Sequence, residues 1–336
     1  MVHLFSNRIS IVGAGGWGTA LANLLANNGL EILIWVYEPE VVEEINSSHT
    51  NRTYLEGVTL SSKVKATNDL DEIFKFSHII LSSVPTQYIR NVYRNHQLNL
   101  EKAYIINVAK GIEQNTYFRC SEIFADLGVT QNRYAILTGP SHAEEVARLV
   151  PTTVVVSSLN LEFTLFVQQT FSNENFRVYT STDTIGCEFG GSLKNIIAIA
   201  SGIIDGLKFG DNTKAALITR GLAEMNRLAV AFGANPQTMS GLAGLGDLFV
   251  TCNSPHSRNR RVGELIGQGK NLDEIINSMK MIAEGVSSTK SVYELSRKIN
   301  VEMPIVQKVY EILFENLNPL IAIKQLMTRA SKNEWW

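Results

Sequence analysis

The apolar and polar positions of this chain follow two different rhythms. Up to about Ser181, short β-branched runs alternate with segments of helical spacing. "RISIV", "EILIW", "HIILSSV", "AYIINVA", "YAILTG", "TTVVVSS" and "FRVYTS" read as strands bounded by turns. "TALANLLANN" carries the helical period, and Gly29 is placed to end it at C′. "PEVVEEIN" reads as a helix opened by Pro39. Strands alternating with helices predict βαβ units, hence an α/β fold with a doubly wound, mostly parallel sheet.

After about Gly186 the strand pattern disappears. "LKNIIAIASGIIDGL", "TKAALITRGLAEMNRLAVAF", "RRVGELIGQG", "NLDEIINSMK", "TKSVYELSRKI" and "IVQKVYEILF" all have helical spacing. Leu217, Gly221, Leu222, Met225 and Leu228 fall on one helical face. The expected organisation is a Rossmann-type unit over residues 1–188 and an all-helical unit over 189–336. No repeat or low-complexity linker divides them, so a packed interface is expected, with the active site in its cleft.

Composition narrows this further. A chain of 336 residues, 45% hydrophobic and 18% charged, suits two soluble domains. Thirty Lys plus Arg against 32 Asp plus Glu leave a net charge of -2, which favours neither nucleic acid nor an acidic membrane. No apolar run approaches the ~20 residues of a membrane span, and "MVHLFSNR" lacks a signal-peptide core. A cytoplasmic location is expected. Cys120, Cys187 and Cys252 are scattered, which predicts reduced thiols. His3, His49, His78, His96, His142 and His256 form no metal-spaced pair, so no metal is expected.

The candidate chemistry begins at "SIVGAGGWGTA", where Gly13, Gly15 and Gly18 stand in G-x-G-x-x-G order. After a strand, Gly13 allows the turn, Gly15 lets a pyrophosphate approach, and Gly18 packs helix on strand. The phosphates would then meet the free N–H groups of the helix. A ribose-binding acid is expected ~20 residues on, and Glu38 is there. Trp17 either lies against the cofactor or packs between loop and sheet. The strands end in "SSVPT", "NVAKG" and "LTGPS", where ligands of open sheets gather. Lys110, just past such an end, is either a substrate contact or a solvated lysine.

Further motifs add a resemblance. "GAGGWGTA", "AKGIE", "TGPSHAEEVA", "GGSLKNIIAIASGIIDG", "TRGLAEM", "GLAGLGDL", "SRNRRVG" and "AEGVSSTK" occur in the order and spacing of one family. Over nearly its whole length the chain resembles NAD(P)-dependent sn-glycerol-3-phosphate dehydrogenases. The resemblance implies interconversion of glycerol 3-phosphate and dihydroxyacetone phosphate, feeding glycerophospholipid synthesis. It implies that Lys194 is the catalytic lysine and that Lys110 touches both cofactor and substrate. It carries the substrate over to Gly139, Ser141, Asp247, Ser257, Arg258 and Asn259. Cofactor positions are Gly16, Trp17, Tyr37, Tyr54, Ala143, Arg258, Ile282 and Glu284.

The chain departs from the family pattern at two places. Ala109 stands where Thr or Ser is usual, and Tyr37 where many bacterial members carry Arg or His. The segment "LIWVYEPE" therefore offers no cation to a 2′-phosphate, and Glu38 would repel one. NAD(H) is expected to be favoured over NADP(H), unless Glu38 faces solvent and a cation such as Arg52 compensates.

The residues carry the chemistry on their own terms as well. A buried lysine of lowered pKa can move the hydroxyl proton as hydride transfers. The apolar, glycine-rich setting of Lys194 suits this, and Asp247 can partner its charge. "SPHSRNRRVGELIG" sets Ser257, Arg258 and Asn259 at a helix start, and Arg258 can grip two phosphate oxygens. Arg260 and Arg261 read as solvated or cap-neighbouring cations. His142 lies either near the cleft or at a helix start. Two rivals remain: a hydroxy-acid dehydrogenase, and an NAD(H)-binding redox sensor without chemistry. The partners expected are the small-molecule substrate and, with the oligomeric state left open, a second copy in a homodimer.

Overall fold

The computed structural model describes residues 7–279 and 282–334; the expectation for His3 and its neighbours lies outside them. Eight strands form one sheet: β1 (Arg8–Val12), β2 (Glu31–Trp35), β3 (Val64–Thr67), β4 (Ile79–Ser82), β5 (Tyr104–Asn107), β6 (Tyr134–Thr138), β7 (Thr152–Ser157) and β8 (Phe176–Ser181). Their order is β3-β2-β1-β4-β5-β6-β7-β8. Every pairing is parallel except β6 with β7. The first six strands thus follow the 3-2-1-4-5-6 order of dinucleotide-binding folds, and the chain reverses direction across the sheet between β1 and β4.

The sheet is buried on both faces, which is why its strands read as continuous apolar runs. Ile79 and Leu81 enter one core layer, and Ile80, between them, enters the other. β3 is the strand that the hydrophobic pattern did not announce. Its four residues, "VKAT", hold only two aliphatic side chains, and it exists by pairing with Ile32–Trp35 at the sheet's edge.

Helical structure takes over at the central helix, Thr184–Gly206, capped by Asp183, whose side chain accepts the Gly186 N–H. The expected 188/189 boundary falls inside this helix. Glu188, buried near its start, accepts bonds from Tyr134 Oη (2.8 Å), Ser121 N (2.7 Å), Ser121 Oγ (2.7 Å) and Arg119 Nη1 (3.0 Å). These bonds fasten the central helix to β6 and its neighbours. Around it pack the helices Asp211–Ala231, Asp247–Asn253, Arg258–Gly267, Glu284–Lys298 and Pro304–Phe314. On the Asp211–Ala231 helix, Gly221, Met225 and Leu228 are buried and Leu217 and Leu222 half-buried, as the spacing predicts.

One crossing is especially close. A Cβ on Gly202 would stand 1.9 Å from the Arg260 carbonyl oxygen, and one on Gly263 1.9 Å from that of Ile199. The central helix and the Arg258–Gly267 helix therefore touch backbone to backbone, which only glycine permits. No helix among the described residues is long and apolar enough to cross a membrane. The three cysteines are buried and unpaired.

Candidate active site

At the switch in strand order, Val12 of β1 pairs with Ser82 of β4, and the loops that follow lie side by side. Gly13 has φ +106°, and a Cβ there would come within 2.9 Å of the Ser83 oxygen. Gly18 sits against the Gly13 carbonyl, 2.0 Å from where its Cβ would be. Gly15 is different: nothing lies within 4 Å of its Cβ position, and it begins the helix Gly16–Asn27 without a side-chain cap. Open space in front of uncapped helix N–H groups fits a pyrophosphate.

Residues distant in sequence meet beside this loop. A Cβ on Gly16 would lie 2.8 Å from the Tyr54 oxygen and 3.7 Å from the Ala143 Cβ. Trp17 is half-buried against the core layer beneath, and its buried Nε1 has no hydrogen-bond partner. Tyr37 is 78% exposed. Glu38 does open the helix Pro39–Ser48, but its carboxylate turns to Tyr54, whose hydroxyl donates to it at 2.6 Å. That bond pushes the Tyr54 phenol up to about 12. Arg52 is held by Glu44 at 2.9 Å, away from Glu38.

The other end of the crevice holds a charge cluster. Lys110, beyond β5, donates to Asp247 Oδ2 (2.8 Å) and to the Gly139 oxygen (3.2 Å). Lys194, on the central helix, donates to Asp247 Oδ1 and, at 2.8 Å, to Thr251 Oγ1. Lys194 and Asp247 are buried. Burial brings the Lys194 ammonium down to about 8; Asp247 opposes that shift and the Lys110 charge adds to it. Burial alone would raise the Asp247 carboxyl, but the two lysines hold it below its ordinary value.

Thr251 escaped the sequence reading. Its signal is the i, i+4 spacing from Asp247, which puts both on one helical face. Its hydroxyl donates to the Asp247 carbonyl oxygen at 2.6 Å, leaving the oxygen's lone pairs toward Lys194.

A third group closes the site. Ser257 caps the helix Arg258–Gly267, accepting the Arg260 N–H at 3.2 Å. Arg258 donates to the Ile282 oxygen (2.8 Å), and Asn259 Oδ1 accepts the Gly285 N–H (3.0 Å). Glu284 then spans to the sheet loops, accepting the Thr86 N–H at 2.9 Å and the Lys110 N–H at 3.4 Å. Asn195 Nδ2 donates to the Lys110 oxygen at 3.1 Å. Gly139, with φ +134°, offers its carbonyl to Ser141 Oγ at 2.9 Å.

With that geometry in hand, comparison is decisive. Residues 8–164 match the family model for the NAD-dependent glycerol-3-phosphate dehydrogenase N-terminus, and residues 183–324 match that for its C-terminus. The chain belongs to the NAD-dependent glycerol-3-phosphate dehydrogenase family. It is 48% identical over 332 residues to glycerol-3-phosphate dehydrogenase (NAD(P)+) of Pelotomaculum thermopropionicum, covering 98% of this chain and 95% of that protein. It is 50% identical to the Chlorobium phaeobacteroides protein of the same name, covering 97% and 99%. The crystal structure of glycerol-3-phosphate dehydrogenase from Coxiella burnetii is 39% identical, with a TM-score of 0.90 over 96% of this chain and 99% of that one. D-mandelate dehydrogenase, 13% identical at a TM-score of 0.60, shares the fold alone.

Three further residues of this glycerol-3-phosphate dehydrogenase family member complete the picture. His142 occupies the position just before the short helix Ala143–Ala147, and its ring centre lies 5.8 Å from that of His256. Burial, with the nearby Lys194 charge, drops His142 to about 4, so its ring is neutral near pH 7. Arg260 is a cap-neighbouring cation, its N–H bonded to Ser257; it is half-buried, and Asp205 accepts from its Nε at 2.8 Å. Arg261 is exposed and pairs with Glu264 at 3.0 Å.

Proposed function

We propose that Lys194 moves the hydroxyl proton as this protein interconverts sn-glycerol 3-phosphate and dihydroxyacetone phosphate with NAD(P). The dinucleotide, when bound, supplies or accepts the hydride. Gly15, Gly16 and Trp17 would hold its pyrophosphate end, beside Tyr54 and Ala143. The observation that carries the reading is the Lys194–Asp247–Lys110 cluster, in which a buried lysine titrates near pH 8.

In the oxidative direction, neutral Lys194 Nζ accepts the proton from the secondary hydroxyl. In the reductive direction, its ammonium donates that proton to the carbonyl oxygen. Asp247 keeps Nζ oriented in both. The Lys110 cation stands close enough to the same carboxylate to polarise the ketone. Ser257, Arg258 and Asn259 grip the phosphate, where helix N–H groups and a guanidinium favour an anion.

NADH is the preferred cofactor in this reading. Glu38, oriented by Tyr54, suits free ribose hydroxyls and repels a 2′-phosphate, and Arg52 is engaged by Glu44. In this reading residues 1–188 form the dinucleotide-binding unit and residues 189–336 the helical substrate-binding unit, with Lys110, Gly139 and Ser141 reaching the substrate from the first and Arg258, Ile282 and Glu284 the cofactor from the second. A direct test follows NADH oxidation with dihydroxyacetone phosphate against a panel of ketoacids. The phosphorylated ketone should be the substrate, and a comparable rate with a ketoacid would overturn the reading.

A further inference from the structure

The two glycines of "GGSLKN" stand one helical turn before Lys194, and each lies against the element that brings up one of its charged partners. Gly190, Gly191 and Lys194 are all buried on the central helix. Gly190 is four residues before Lys194, so the two share a face. Ala243 is four residues before Asp247, in the π-helix Leu242–Gly246 that leads straight into the helix bearing that carboxylate. A Cβ on Gly190 would stand 2.2 Å from the Ala243 oxygen, 2.9 Å from its carbonyl carbon and 3.4 Å from the Gly244 nitrogen. All three are backbone atoms. A methyl at this position must part the central helix from the Asp247 segment by about 1 Å to restore ordinary contact.

Gly191 faces a different neighbour. Its Cβ would lie 3.1 Å from Thr138 Oγ1, 3.2 Å from Lys110 Cγ and 3.5 Å from Lys110 Cδ. These are side-chain atoms, which can give. A methyl here presses on the stem of the lysine whose Nζ donates to Asp247 at 2.8 Å. One glycine admits the backbone that carries Asp247, and the next admits the stem that carries the Lys110 cation.

We propose that Gly190 and Gly191 are positioning residues for Lys194, Gly190 setting how closely Asp247 approaches it and Gly191 how closely Lys110 does. Neither touches a reacting group; both act through what they let near. The inference rests on the reading of Lys194 given above, but the surroundings of that ammonium are measurable without turnover. Asp247 favours its charged form, and the Lys110 cation opposes it. The other ionisable groups that sense Lys194 are uncharged near pH 7, since burial lowers His142 to about 4 and raises the Cys252 thiol to about 12. Arg258 and Glu284, which open the two neighbouring helices, are engaged at the Ile282 oxygen and at the amides of Thr86 and Lys110.

NMR of the full chain, with lysine labelled by carbon-13 at Cε and Lys194 assigned through its loss in Lys194→Met, follows this titration directly. In Gly190→Ala the retreat of Asp247 should carry the midpoint to lower pH. In Gly191→Ala the retreat of Lys110 should carry it to higher pH. Each shift should reach about 0.5 pH unit or more, part of the roughly 1–3 that a nearby charge is worth. With Asp247→Asn already in place, Gly190→Ala should move the midpoint no further. Gly202→Ala is the control, since it forces a closer backbone clash on the same helix, about two turns beyond Lys194. Its midpoint should stay at the wild-type value. The proposal is overturned if the two shifts share a sign, if Gly191→Ala titrates like wild type, or if Gly202→Ala shifts as far as Gly190→Ala. Gly191→Ala presses only on side chains, so it decides the matter even where Gly190→Ala fails to fold. A wild-type midpoint that does not match the pH limb of glycerol 3-phosphate oxidation would overturn the proton-carrier reading alone, the two opposite shifts still carrying the positioning.

Discussion

The Asp247 carboxylate is divided between two lysines: Oδ2 lies 2.8 Å from Lys110 Nζ, and Oδ1 receives the bond from Lys194 Nζ. The division predicts a pH profile. With Lys194 as the proposed proton carrier, oxidation of glycerol 3-phosphate draws on its neutral form, so kcat/KM should rise with pH and level off above about 8. Reduction needs the ammonium and should fall across the same range. Asp247 raises the Lys194 pKa, so Asp247→Asn should move both limbs to lower pH. Limbs that stay in place in that variant would separate Asp247 from the proton transfer.

Lys194→Met keeps the apolar stem and removes the proton-carrying group. Turnover should fall by about 10² to 10⁴, the usual range for a lost acid–base group, while cofactor binding persists. Stopped-flow NADH binding alongside steady-state rates separates the two. Turnover within a few-fold of wild type would take Lys194 out of the mechanism.

Arg258 is expected to act on the substrate phosphate. Arg258→Ala should weaken dihydroxyacetone phosphate by about 1.5–3 kcal/mol, the scale of a charged hydrogen bond. Unphosphorylated dihydroxyacetone should be nearly indifferent to it. Because Arg258 also holds the Ile282 carbonyl, thermal melting of the variant is the control. An equal loss on both ketones would point to the Ile282 segment instead.

Cofactor choice is expected to rest on Glu38. Glu38→Ala should narrow the gap between NADH and NADPH by improving NADPH. Tyr54→Phe leaves the carboxylate charge in place and should alter discrimination less. Steady-state kinetics with both cofactors decide it, and a wild-type preference for NADPH would remove Glu38 from this role.

Stability should respond sharply at the helix crossing. Gly202→Ala drives a methyl into the Arg260 carbonyl and should cost about 1–3 kcal/mol in urea unfolding. Gly210→Ser, at an N-cap with nothing within 4 Å of its Cβ position, should be neutral or stabilising. Equal effects at both positions would mean that the crossing relaxes freely.

What was legible in the sequence was what local pattern encodes. β1 and β4 announce themselves because burial on both faces demands unbroken aliphatic runs. The Gly13–Gly18 loop does so because its turn leaves few other residues possible. β3 stayed hidden because an edge strand of four residues is held by its neighbour more than by its own composition. The partner of Arg260 stayed hidden for a related reason: Asp205 stands on another helix, and no window of sequence joins them. Glu188 likewise gathers Arg119, Ser121 and Tyr134 from far upstream. Thr251 needed only the recognition that Asp247 and its neighbour one helical turn on share a face.

Glu284 reaches from the far helical segment to the backbone of Thr86 and Lys110, two loops at the mouth of the sheet. A single side chain therefore staples the helical segment to both loops, across the crevice in which we propose that the nicotinamide and the ketone meet. Its bonds run to main-chain amides, so the staple is indifferent to what those loops carry as side chains. Loosening it would let the walls part without altering one group that touches the reacting atoms, and the cost would appear as misalignment rather than as lost chemistry.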